Sequence, residues 1–165
     1  MEGLLLDGWD GFFGACAGAA AALAGLLFVA VSINLAKILA IPGQAERAGE
    51  ALLPLSSVLV MSLAALAPGL TQGRFAVVAI VCGGFAWVAV TLIEVGALRR
   101  HHFVRRFHVV IRMAFGQSST VPVWLSGLAV LLHVPGGMYW ILPGILATFT
   151  GALVNSWILL VEILR

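Results

Sequence analysis

Charge is what this sequence has least of. Charged residues make up 10% of the 165 positions, against about 25% in an ordinary soluble domain. A soluble domain of this length needs a polar skin, and the shortage excludes one. Lysine is nearly missing, with Lys37 alone against eight arginines. No segment is long enough to carry a basic surface on a soluble module, which excludes a nucleic-acid partner. Cysteine is limited to Cys16 and Cys82, both in apolar runs. Two such thiols make neither a disulfide framework nor a metal site, and they read as small apolar filler. Catalytic signatures are missing too. There is no Gly-x-Ser-x-Gly, no His-Glu-x-x-His and no pair of aspartates in adjacent apolar segments. Ser126 and His133, seven residues apart, do not make a dyad. We expect no enzyme, no cofactor and no metal.

What the sequence has instead is hydrophobicity. Apolar residues reach 62%, against about 45–50% in soluble domains. An integral membrane protein removes the need for a polar skin. The N-terminus carries Glu2, Asp7 and Asp10 rather than the positive charge of a secretory signal. The first apolar segment is therefore expected to stay in the protein.

The apolar runs and their punctuation predict an all-α polytopic fold in one integral membrane domain, residues 1–165. Five transmembrane helices are expected over about 11–41, 51–67, 75–98, 118–135 and 138–164. Pro42-Gly43 and Pro68-Gly69 close the first two. Residues 44–50 read as a helical lead-in to the second, with Pro54 in its first turns, where a missing N–H is tolerated. In the third, Gly84, Trp87, Thr91 and Glu94 form an inward seam of seven-residue spacings. The fourth has an apolar heart of 121–134, about 21 Å of helix. It reads as a short crossing or a re-entrant segment. Tyr139 and Trp140 anchor the last helix at an interface.

Small residues recur at helical spacing. Gly14, Gly18 and Ala22 form one strip of the first helix, and Ala17, Ala21 and Gly25 form a second. Gly144 and Gly151 lie on a seam of the last helix with Thr148 and Asn155. Such strips let another backbone approach closely, from the same chain or from another subunit.

The one strongly charged passage runs from Glu94 to Arg112. It holds Arg99, Arg100, Arg105, Arg106 and Arg112, with His101, His102 and His108 among them. The arginines disfavour a metal cation there. Phe103, Phe107, Val110, Ile111 and Ala114 share one side at helical spacing. This predicts a basic interfacial helix over about 102–115, ending at Gly116, with its five arginines on anionic headgroups.

Charge bias sets orientation. With five spans and the N-terminus outside, the cytoplasmic side holds eight Lys/Arg and the outside only Arg74. If the fourth stretch does not cross, the ratio falls to seven to two. The expected topology is N-out and C-in. It places Asn34, Glu94, Asn155 and Glu162 in the cytoplasmic half of the bilayer, with Lys37 beside Asn34. Polar groups in hydrocarbon cost roughly 2.5–3.5 kcal/mol at mid-membrane. A polar cytoplasmic vestibule below a Gly/Ala-rich outer half accounts for that cost. Pairing of Glu94 with Arg99 or Arg100, and of Glu162 with Arg165, accounts for it equally well.

Leu26-Leu-Phe-Val-Ala-Val-Ser-Ile-Asn-Leu35 and Asn155-Ser-Trp-Ile-Leu-Leu-Val-Glu-Ile-Leu-Arg165 carry a resemblance. There the chain resembles small polytopic membrane proteins of actinobacterial type, some labelled modulators of a membrane-anchored AAA protease. The resemblance implies a multi-pass protein of a bacterial plasma membrane, and the excess of Arg over Lys agrees with a GC-rich bacterial genome. Two functions are expected. One is a self-associating, homo-oligomeric channel or transporter-like protein. The other is a non-catalytic regulatory or assembly subunit of another membrane protein.

Overall fold

A computed structural model describes residues 8–41, 43–100 and 103–162. Every regular element among them is helical: α1 (Asp10–Ile33), α2 (Leu35–Ala40), α3 (Gln44–Ala65), α4 (Gln72–Arg100), α5 (Phe103–Leu131) and α6 (Ile141–Trp157). A 3₁₀ turn, Gly137–Trp140, leads into α6, and a π turn, Ile158–Glu162, continues it. Four helical stretches are long and apolar enough to cross a membrane: Asp10–Ile33, Gln44–Ala65, Gln72–Arg99 and Gly137–Leu160. The protein is membrane-embedded.

Each helix follows from its sequence. In α1 the buried positions Phe13, Cys16, Ala17, Ala20, Leu27 and Ala30 recur at three- and four-residue steps, which puts them on one face. The expected first span does not run unbroken to residue 41. Asn34 leaves the helical region (φ −106°, ψ 13°) and turns the chain into α2. The expected lead-in over 44–50 is helical and belongs to α3. Pro54 consequently sits in mid-helix rather than in the first turns, and it removes the N–H that would bond the Glu50 carbonyl.

The largest departure concerns α5. The expected in-plane helix ending at Gly116 and the expected fourth span are one uninterrupted helix of 29 residues. Gly116 does not stop it, because Gly116 packs face to face with α4 near Val90 and Glu94. α5 runs antiparallel to α4 in constant register: Ile80 meets Gly127, Gly83 meets Trp124, and Val90 meets Gly116. A Cβ on Gly83 would stand 2.9 Å from the Trp124 amide nitrogen, and one on Gly127 2.8 Å from that of Ile80. Gly144 of α6 packs as closely on Val123 and the Ser119 carbonyl. Lipid tails are as apolar as leucine, so close backbone packing of this kind is what holds membrane helices together.

The two ends of the bundle differ. At one end Trp9, Phe12, Phe13, Phe75 and Tyr139 meet ring to ring at centroid distances of 5.4–6.1 Å. The middle is aliphatic, with Leu27, Leu55, Val58, Met61, Ile141 and Ile145 fully enclosed. The buried polar side chains Asn34 and Glu94 lie toward the other end, with the Glu50–Arg112 ion pair. Large apolar side chains such as Phe28, Leu39, Val81, Phe85, Leu92 and Leu146 point outward, as a lipid-facing surface requires.

Candidate functional site

The polar end is built from α3, α4, α5 and α6. Glu50 is carried one helical turn ahead of Pro54 on α3, and its Oε1 accepts a hydrogen bond from Arg112 Nη2 on α5 at 2.8 Å. The Glu50 side chain keeps 8% of its exposure and Arg112 21%, so this is an enclosed pair rather than a surface one. Arg112 Nε is buried and has no hydrogen-bond partner among the described residues.

Beside the pair, Glu94 of α4 is 1% exposed. Its Oε2 accepts from Gln117 Nε2 at 2.9 Å. Gln117 Nε2 also donates to Thr91 Oγ1 at 3.1 Å, and its Oε1 accepts from Trp87 Nε1 at 2.7 Å. These bonds fix which way the Gln117 amide points, since a flip would set donor against donor at Trp87 and oxygen against carboxylate at Glu94. Glu94 Oε1 is different: it is buried and bonds to nothing among the described residues. It lies over the Cα of Gly116, where any Cβ would overlap it.

A cavity of about 50 Å³ opens where α3, α5 and α6 meet. Glu50, Pro54, Arg112, Gly116, Thr148 and Asn155 are among its walls. That volume holds a few water molecules and no metabolite. Asn155 Nδ2 is tied back to the Gly151 carbonyl at 3.0 Å, which leaves its amide oxygen as the group available to a neighbour. A larger cavity, about 340 Å³, lies at the aromatic end between Trp9, Gln72, His133, Met138 and Tyr139. None of its lining side chains is charged in the way Glu50 and Arg112 are.

Of the expected vestibule set, Glu94 and Asn155 flank the same junction. Asn34 does not join them. Its Nδ2 donates to the Ala30 and Leu159 carbonyls, both at 3.1 Å, and so pins the α1–α2 corner to the π turn after α6. Lys37 is exposed on α2. The Glu162 side chain lies outside the described ones, as do those of Arg100, Arg105 and Arg106. Arg99 is exposed at the end of α4, whereas Arg112, expected on headgroups, turns inward to Glu50. On the expected α4 seam, Trp87, Thr91 and Glu94 face α5, but the glycine that meets α5 is Gly83, and Gly84 meets nothing.

The small-residue positions divide. Gly144 packs inside the chain, while a Cβ on Gly14, Gly18, Gly25 or Gly151 would touch nothing within 4 Å. Sequence reasoning missed Glu50, taken as part of a connection, and Gln117, taken as lying beyond a helix end. One signal was present: Glu50 is four residues before Pro54, on the face whose carbonyl that proline frees. Among the described residues, no three His, Cys, Asp or Glu side chains gather as a metal would need. His101 and His102 lie outside the described residues, and the His108 side chain does as well. Compared with protein-family models, curated protein sequences and solved structures, the chain gives no match.

Proposed function

We propose that this chain is a small channel- or transporter-like membrane protein that moves a small polar solute through the junction of α3, α4, α5 and α6. The observation that carries the reading is Glu94. A carboxyl group with one oxygen unbonded, buried among membrane helices, costs free energy that packing does not recover. An enclosed ion pair and a cavity sized for water lie next to it. Ionisable groups kept inside a bundle at such cost mark ion and proton pathways by default.

In this reading α5 is a fifth crossing. It stays in register with α4, and from Met113 to Leu131 it carries no charged side chain, a rise of roughly 28 Å. The N-terminus is then outside and the C-terminus cytoplasmic in a bacterial plasma membrane. The remaining arginines of the basic stretch, Arg99, Arg100, Arg105 and Arg106, contact anionic headgroups. The polar groups are enclosed by one subunit, so self-association through the outward strip of α1 gives an oligomer of separate pathways rather than one central pore.

The experiment is flux into liposomes holding the purified protein. Glu94→Gln and Asn155→Leu are each expected to cut a measured proton or alkali-cation flux by tenfold or more. Flux indifferent to both substitutions sinks the site assignment. A second reading, a non-catalytic subunit that docks on another membrane protein such as a protease, is favoured by the Gly14, Gly18 and Ala22 strip, which no described segment of this chain covers. Co-purification lost on Gly18→Leu, with no flux in the wild type, would decide for it.

A further inference from the structure

We propose that Glu94 Oε1 is a proton-binding site at the polar junction, beside the cavity that Gly116 helps to line. This names the ligand of the junction and rests on the transport reading for its purpose, though its chemistry stands on geometry alone.

The geometry selects the ligand. A metal cation needs several oxygen ligands at about 2.0–2.6 Å. Oε1 has no hydrogen-bond partner among the described residues, and it lies against Gly116, which offers no side chain to complete a cation shell. A proton needs only the one oxygen. Gly116 makes this arrangement possible. Its missing Cβ gives Oε1 the space it occupies, and Gly116 itself is one of the residues that line the cavity.

The charges point the same way. Among the described residues, Glu50 faces Glu94 from α3 and Arg112 from α5. Gln117 and Thr91 are neutral, and α6 presents the neutral Asn155 to the cavity. Arg112 spends its Nη2 on Glu50. The pair largely offsets itself; Glu46 and Arg47 also act on Glu50, and among the described residues Glu94 Oε1 has no hydrogen-bonded counter-group. Uptake forms one O–H bond at Oε1 and turns the hydronium that reaches it into water; release reverses both. Gln117 serves as the positioning residue: held by Trp87 and Thr91, it keeps Oε2 engaged and turns Oε1 toward Gly116.

The test uses the wild-type protein in lipid nanodiscs and dicyclohexylcarbodiimide, which attacks protonated carboxyl groups in apolar surroundings. Peptide mass mapping is expected to place the adduct on Glu94. Above the midpoint of its titration the labelling rate falls about tenfold per pH unit, as the protonated fraction does. Infrared difference spectra between acid and alkaline buffer are expected to contain a protonated-carboxyl band that Glu94→Gln removes. Gly116→Ala, which must displace Oε1, is expected to move the midpoint of both readouts while Glu94 remains present. Labelling that avoids Glu94, or that ignores pH, overturns the proposal even if flux is measured. PH-dependent labelling of Glu94 in a protein that passes no flux supports the proton site and removes the transport reading instead.

Discussion

Gly83 and Gly84 are neighbours in α4, and they test its packing on α5 better than either could alone. A Cβ at Gly83 would lie 2.9 Å from the Trp124 amide nitrogen and 3.1 Å from its Cα. Backbone cannot rotate away, so α4 and α5 must separate locally. Overpacking of this kind costs about 1–3 kcal/mol. A Cβ at Gly84 would meet nothing within 4 Å. Replacing either glycine by alanine also gains helix propensity, by at most about 1 kcal/mol. That gain shrinks when the denatured state in detergent stays helical. Both sites lie in the same turn of the same helix. The propensity and reference-state contributions cancel in the difference between the two variants, and the packing cost remains. Gly83→Ala is therefore expected to be less stable than Gly84→Ala by about 1–3 kcal/mol. The assay is reversible unfolding in mixed micelles titrated with sodium dodecyl sulfate. Equal stabilities, or Gly84→Ala as the weaker variant, would refute the α4–α5 register and, with it, the contact of Glu94 with Gly116.

Further substitutions probe the polar end. Glu50→Leu or Arg112→Met alone is expected to cost about 2–3 kcal/mol, below the roughly 3–5 of a fully buried pair because Arg112 keeps 21% of its exposure. The double variant Glu50→Leu with Arg112→Met should recover most of that loss; additive losses in the same unfolding assay would mean that the two side chains are not coupled. Asn34→Leu removes the hydrogen bond to the Leu159 carbonyl and is expected to cost about 0.6–1.7 kcal/mol, the range of interhelical bonds in membranes. Unchanged unfolding of Asn34→Leu would show that the corner is not held from the π turn.

Much of this fold is legible in the sequence because hydropathy encodes depth. Four of the five expected apolar spans coincide with the four long apolar helices, while charge bias gives only an expected level for Asn34, Glu94 and Asn155. Depth is only one coordinate of a residue in a bundle, and the other is the direction it faces around its helix. That direction is set by which neighbours are present, and composition is silent on it. Asn34 and Glu94 are both buried polar residues and turn to different seams, one to the Leu159 carbonyl and the other to Gln117. Gly83 and Gly84 differ by one helical step, and only one of them meets α5.

Gly116 shows why the difficulty concentrates at the candidate site. A glycine after a basic amphipathic stretch reads as a helix end, by the same rule that ends other helices correctly. In a membrane bundle a glycine serves equally as a place where another helix comes close. The two uses leave the same letter in the sequence, and the position of a partner separates them. Here the partner is Glu94, and reading Gly116 as an end cuts α5 in two. It also moves Gln117 out of helical register with Glu94 and leaves Arg112 facing lipid instead of Glu50. One misassigned glycine therefore hides three contacts at once. The polar residues of this junction could be found singly from the sequence, while their arrangement depends on helix continuity through the single position that local rules read the other way.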